Sequence, residues 1–239
     1  MEFKTAISKM TKDDLIIRGE KLSSLMEKGS FSDAIFLLLS GKNPTAKESQ
    51  LFSALLVSAI DHGMGTTSSM TSRFVMSTGN DLNTAVGAGV LALGKYHGGA
   101  IEEAMKQLSS SEKPEVYVAS AIKNKTILFG FGHKIYTDHD PRVQQLLKLC
   151  KKIDFKSMYI DRALAVERSI EKIKGKKLVL NIDGFIAAAL LGMGFSPSVG
   201  KGVFIIGRIP GLVAQAVEEK EREKPVRRVE EEEIVYDGK

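Results

Sequence analysis

Three of the chain's four histidines stand beside glycine, in Asp61-His62-Gly63-Met64-Gly65, Tyr96-His97-Gly98-Gly99-Ala100 and Gly130-Phe131-Gly132-His133-Lys134. Imidazole can give or take a proton near neutral pH. A neighbouring glycine lets the backbone turn sharply and lets a ligand come close to the main chain. Capped helix ends with partly exposed histidines would give the same local pattern. A metal site is not expected. The histidines lie 35 and 36 residues apart with no i, i+3 or i, i+4 pair, and no cysteine is near them. His139, six residues past His133 and soon followed by Pro141, makes no helical ligand pair either.

Acidic and basic partners follow. Asn181-Ile182-Asp183-Gly184 puts Asp183 at the end of one apolar run and just before another. There it either caps a helix or, partly desolvated, has the raised pKa of a better base. Arg142 in Asp140-Pro141-Arg142-Val143 and Arg208 in Gly207-Arg208-Ile209-Pro210-Gly211 read as turn-to-helix junctions. A guanidinium fork and helix N-terminal amides can together grip a carboxylate at such places. A surface ion pair is the alternative for each.

The elements that must position these groups are helical. Thr11–Asp14 reads as an N-cap for a helix through Leu15, Ile16, Leu22, Leu25 and Met26. Ser32 reads as the cap of a short helix that stops at Gly41, and Thr45 to Glu48 as a capping box. The helix behind that box carries Leu51, Phe52, Leu55, Leu56, Ala59 and Ile60 on one face. The small residues of Gly79–Gly94 suit an interior helix in close packing. Further helical patterns cover Pro114–Lys123, Pro141–Lys151, Met158–Ile173, Gly184–Leu191 and Gly211–Arg222. Only Thr126–Phe131 and Leu178–Ile182 resemble strands, so the expected fold class is all-α.

Composition narrows the function. The 239 residues are 43% hydrophobic, enough for a real core and against wholesale disorder. One cysteine excludes a disulfide framework and fits a reducing compartment. No signal peptide is visible, and the longest near-apolar stretch, Gly184–Phe195, falls short of a membrane span. The expectation is a cytoplasmic protein without a membrane partner. The charge of +5 comes without a basic cluster interleaved with aromatics and without tryptophan, which argues against nucleic acid and for a small acidic ligand. The mixed charges of Glu218–Glu233 read as a solvated tail.

The order and spacing of His62-Gly, Ser77-Thr-Gly-Asn-Asp to His97-Gly-Gly-Ala, Gly132-His133-Lys134 with Asp140-Pro-Arg142, Asn181-Ile-Asp183 and Gly207-Arg208 resemble the citrate synthase superfamily. The layout is most like citryl-CoA lyases and the lyase module of ATP-citrate lyase, without the N-terminal extension of full synthases. The resemblance implies a multihelical body over residues 1–223, with a smaller CoA-side subdomain at about 100–180, and an extended C-terminal arm, 224–239. It implies cleavage of citryl-CoA to acetyl-CoA and oxaloacetate through an enol of acetyl-CoA. In that reading Asp183 handles the methyl proton and His97 is a neutral donor to the thioester oxygen. His133 protonates the oxaloacetate carbonyl oxygen in condensation and takes that proton back in cleavage. His62, Arg142 and Arg208 bind carboxylates, while Gly130, Gly132 and Lys134 meet the coenzyme A thioester, a substrate; no permanently bound cofactor is expected.

Two positions depart from the family pattern. Ile101 stands where a polar residue follows His-Gly-Gly-Ala, and Lys224-Pro225 stands where an arginine precedes the proline. The cation reaching a neighbouring subunit's substrate is then Lys224 or Arg227, which implies a homodimer with shared sites. A separate citryl-CoA synthetase is a possible further partner. Two other functions remain open: condensation, as in a citrate synthase acting on oxaloacetate or another 2-oxo acid, and a non-catalytic CoA- or dicarboxylate-binding subunit of a larger synthetase.

Overall fold

A computed structural model describes residues 2–239. The chain forms two compact units, one of residues up to Ser58 with Gly99–Phe204, the other of Ala59–Gly98 with Ile205–Lys239.

The first unit opens with a small antiparallel sheet of β1 (Ser8–Met10), β2 (Leu15–Ile17) and β3 (Glu20–Lys21), in that order. The expected helix start at Thr11–Asp14 is therefore a hairpin turn, in which the Thr11 N–H and hydroxyl both donate to the Asp14 carbonyl, at 2.9 and 2.6 Å. Ile16 and Ile17 are β-branched and suit a strand. Arg18 and Gly19, with φ of 50° and 93°, make the tight turn into β3. Helix begins only at α1 (Leu22–Lys28). Next come α2 (Phe31–Ser40) and α3 (Ala46–Ser58). Ser30, not Ser32, caps α2, in a box with Asp33. Thr45 and Glu48 make the expected box at the start of α3, at 2.8 and 3.3 Å.

Helices α4 (Thr67–Ser77) and α5 (Leu82–Leu91) belong to the second unit. The first unit resumes with α6 (Ala100–Leu108), α7 (Pro114–Lys123), α8 (Pro141–Lys152), α9 (Met158–Lys174) and α10 (Ile182–Gly192). Helix α10 is apolar all round except for Asp183, and its residues Ile182 and Gly184–Leu191 are buried. Such a helix has no polar face for water and has to be enclosed; α6, α8 and α9 pack on it. Phe36, Phe52 and Phe195 form an aromatic cluster with centroids 4.9–5.8 Å apart. The two expected strands meet only at one antiparallel bridge, Phe131 to Leu180. Beside it, Gly132 N–H donates to Val179 O at 2.7 Å and Asn181 N–H to Gly130 O at 3.0 Å.

Helix α11 (Pro197–Arg222) starts in the first unit and ends in the second, and a 3₁₀ turn follows at Glu231–Glu233. It runs through Pro210, where the sequence suggested a break, so Arg208 lies inside a helix and not at a junction. Gly211 explains the local sequence, because a Cβ there would collide with the Ile60 carbonyl. In the second unit α4 packs on α5, and the buried side of α4 is mostly small and polar: Ser68, Ser69, Ser72, Arg73, Met76 and Ser77. No helix among the described residues is long and apolar enough to cross a membrane.

Candidate active site

In the first unit the candidate groups are built around the start of α10. Asn181, not Asp183, is the helix cap, its side-chain oxygen accepting from Gly184 N–H at 3.1 Å. Asp183 is thereby placed in the first helical turn, half-buried, where the helix dipole favours a carboxylate. The other end of the Asn181 amide donates to Gly132 O at 2.8 Å, which ties the Gly130–His133 loop to the helix start. Gly130 is required there. Its φ is 86°, and a Cβ would lie 2.5 Å from Gly184 Cα. The loop and the helix touch backbone to backbone.

His133 is oriented by its own loop. Its Nδ1 accepts from the Ile135 and Tyr136 N–H groups, both at 3.1 Å, and its ring stacks on Tyr136 at 4.5 Å. Backbone amides can only donate, so in the neutral ring Nε2 carries the proton. This is the donor form that condensation calls for. A ring that accepts at Nε2 would instead carry its proton on Nδ1, toward the same two N–H groups. Lys134, next along the loop, is exposed.

Arg142 grips a carboxylate, as its position suggested, but the carboxylate is the chain's own. Asp140, with 1% of its surface exposed, caps α8 and accepts from Arg142 N–H and Nε, both at 3.0 Å, and from Nη2 at 2.7 Å. It also accepts from Ile182 N–H at 3.2 Å, one residue before Asp183. Burial works to raise the Asp140 carboxyl, but the hydrogen bonds and charge of Arg142 outweigh it and hold it below the usual carboxylate range. One side chain therefore aligns the starts of α8 and α10. Asp140 was visible in the sequence only as the residue before Pro141-Arg142.

The second unit carries a separate group. His97 ends a turn closed by its own N–H to Gly94 O, and its Nε2 lies 2.8 Å from the buried Ser68 hydroxyl. Desolvation, then the charges of Arg208 and His62, lower the His97 pKa. The two charge effects place Arg208 and His62 within electrostatic reach of His97. Arg208 is 4% exposed, and its Nε donates to Ala59 O at 2.7 Å. His62 is exposed on the loop between α3 and α4. Ser68 escaped the sequence reading because nothing in a Thr-Ser-Ser run distinguishes the one hydroxyl that meets an imidazole.

The lowered pKa has a measurable consequence. His97 should remain neutral at neutral pH, and its imidazole NMR signals should titrate below the ordinary value of about 6.5. An unfolded chain binds that proton at about pH 6.5 while the folded His97 still refuses it, so this site costs stability as the pH falls below 6.5. A midpoint at or above 6.5 would contradict the assignment.

At the C-terminus, Lys224 is exposed just beyond α11, and Arg227 is held by Glu219, with its Nε and Nη2 at 2.7 and 2.8 Å from the two carboxylate oxygens. Glu219 is 1% exposed, so the charge block is not wholly a solvated tail. Ile101 is fully buried in α6 and packs near Gly200, as a core residue does. Among the described residues no cluster of three or more His, Cys, Asp or Glu could hold a metal ion.

The family described as citrate synthase, C-terminal domain, matches residues 43–229. The structure is similar to that of citryl-CoA lyase from Hydrogenobacter thermophilus, with a TM-score of 0.95 and 44% identity over 99% of this chain and 95% of that one. It is also similar to ATP citrate lyase from Methanothrix soehngenii, solved with citrate and coenzyme A. There the TM-score is 0.88 and the identity 26%, over 99% of this chain and 42% of that one. In sequence, the chain is 28% identical to citrate synthase 2 of Bacillus subtilis over 79% of its own length and 52% of the relative. The chain thus spans about half the length of the curated citrate synthases it matches.

Proposed function

The chain belongs to the citrate synthase family, and on that premise we propose that it cleaves citryl-CoA to acetyl-CoA and oxaloacetate. The observation that supports the choice of cleavage is the likeness to a citryl-CoA lyase, at a TM-score of 0.95 and 44% identity over nearly all of both chains.

Breaking the bond between the carbinol carbon and the thioester methylene sends its electron pair toward the thioester oxygen, forming the enol of acetyl-CoA. Overall one proton leaves the tertiary hydroxyl for water, and one arrives at the methyl carbon from Asp183, which regains it from water. Asp183 delivers the proton to carbon. His97, kept neutral by desolvation and by the cationic Arg208, donates to the thioester oxygen, where charge develops. His133 donates from Nε2 to the oxygen that is a hydroxyl in citryl-CoA and a carbonyl in oxaloacetate. His62, Arg208 and the Nη1 side of Arg142 bind carboxylates, the remaining edge of Arg142 being pinned by Asp140. Gly130, Gly132 and Lys134 take the CoA side. The working form is a homodimer in which a C-terminal cation completes the partner's site, and a separate citryl-CoA synthetase would supply the substrate.

The test is to incubate purified protein with citryl-CoA and separate the products. Equal amounts of acetyl-CoA and oxaloacetate support cleavage. Free CoA released from acetyl-CoA plus oxaloacetate, without citryl-CoA cleavage, would mean a condensing enzyme.

A further inference from the structure

The tail segment after α11 is fastened by an ionic triad in which Glu219 and Arg73 are buried and Arg227 is partly so. Arg227 meets Glu219 through both its Nε and Nη2, its backbone N–H donates to Ser77 Oγ at 3.2 Å, and its guanidinium lies 3.4 Å from Glu223. The same Glu219 carboxylate accepts from Arg73 Nε at 2.7 Å, and Arg73 Nη1 reaches the Gln215 side chain at 2.8 Å. The Glu219 side chain is 0% exposed and that of Arg73 3%. Burying ionised groups such as Glu219 and Arg73 is expensive, and such groups often stabilise a fold no more than apolar residues of similar size would. They do fix geometry.

That geometry has a pattern. Arg208, Leu212, Gln215 and Glu219 recur at helical spacing along one stripe of α11. Ser72 and Arg73 of α4 meet this stripe at Leu212, Gln215 and Glu219. Ser68, which contacts His97, lies on the same helix α4. Glu219 is therefore where three segments meet, each carrying a candidate site residue: α4 with Ser68, α11 with Arg208, and the tail with Lys224.

The geometry points to Arg227 as an anchor and not a substrate ligand, with Glu219 as the positioning residue that aims Lys224 at the substrate. Between the end of α11 at Arg222 and the anchor at Arg227 only four residues intervene, so Lys224 sits on a loop held at both ends. Both fork edges of Arg227 that face a carboxylate are spent on Glu219, whereas Lys224 is exposed. This assignment rests on the proposed lyase function for its substrate, but the latch itself does not.

The experiment pairs hydrogen–deuterium exchange of the tail with steady-state kinetics on citryl-CoA. Arg227→Gln leaves the Arg73–Glu219 pair intact and so spares the fold. It should speed exchange of amides 226–229 at least tenfold and raise KM about tenfold, with kcat within twofold. Glu219→Gln should act in the same direction. Lys224→Gln should raise KM at least as much with exchange unchanged. The double variant Arg227→Gln/Lys224→Gln should be no worse than Lys224→Gln, because the anchor works through the lysine. Three results would each overturn the assignment: a raised KM in Arg227→Gln with the tail still protected, a normal KM in Lys224→Gln, or losses that multiply in the double variant. If the wild type does not cleave citryl-CoA, the lyase reading falls, and unchanged exchange in Arg227→Gln would independently overturn the latch.

Discussion

Asp183→Asn should reduce citryl-CoA cleavage about 10³-fold in kcat while the protein keeps its fold. Positioned proton transfer contributes about 10²–10⁴-fold to a rate, and 10³-fold corresponds to about 4 kcal/mol of barrier. Asparagine has nearly the shape of aspartate but cannot carry the proton to carbon. Two features that shape this helix start do not use the Asp183 side chain: Asn181 caps α10, and Gly184 packs against Gly130. Loss of a carboxylate from the first helical turn costs about 0.5 kcal/mol. Stopped assays of oxaloacetate, with calorimetry for CoA and citrate binding, separate the two effects. Undiminished turnover would remove Asp183 from the mechanism.

Asp140→Ala should damage both stability and activity. The carboxylate accepts four hydrogen bonds, three of them from Arg142, and removing it leaves a partly buried guanidinium and the Ile182 N–H unpaired. Breaking a buried charged pair from one side costs about 3 kcal/mol. Because the folded carboxyl is held below the ordinary aspartate value of about 3.9, this stabilisation is complete above that pH and is lost as the pH falls through the depressed folded value. Urea unfolding should therefore show the full penalty at pH 7 and a smaller one in acid. Activity should fall too, since Asp140 aligns the residue before Asp183 and holds Arg142. A variant as stable as wild type at pH 7 would show that the clamp carries no load.

The elements that could be read from the sequence were those with local punctuation. Pro114, Pro141 and the Thr45–Glu48 box placed the starts of three helices, although α3 stops at Ser58, short of the Ala59 and Ile60 read onto its face. Helix α4 gave no apolar period, because what it buries is serine and arginine paired to distant partners. The N-terminal hairpin was hidden by leucines and isoleucines that fit a helical spacing equally well. Pro210 suggested a break that α11 does not make.

Among the candidate site groups, the histidines, Asp183 and the arginines were legible as residue types beside glycine or at motif positions. Their partners were not. Ser68 lies 29 residues from His97, Asp140 lies 42 from Ile182, and Glu219 lies 146 from Arg73. Contacts of that separation depend on the tertiary fold, and a local pattern carries no trace of them. The same holds for the tautomer of His133, which is set by two backbone amides that only the folded loop presents.

The most direct measurement is a crystal structure of the protein with citrate and coenzyme A bound. The account predicts the citrate hydroxyl within hydrogen-bonding distance of His133 Nε2, its carboxylates on His62, Arg142 and Arg208, and the CoA sulfur end beside His97 and Asp183. Citrate or CoA held by other residues, with His97, His133 and Asp183 all left out of contact with either ligand, would contradict it.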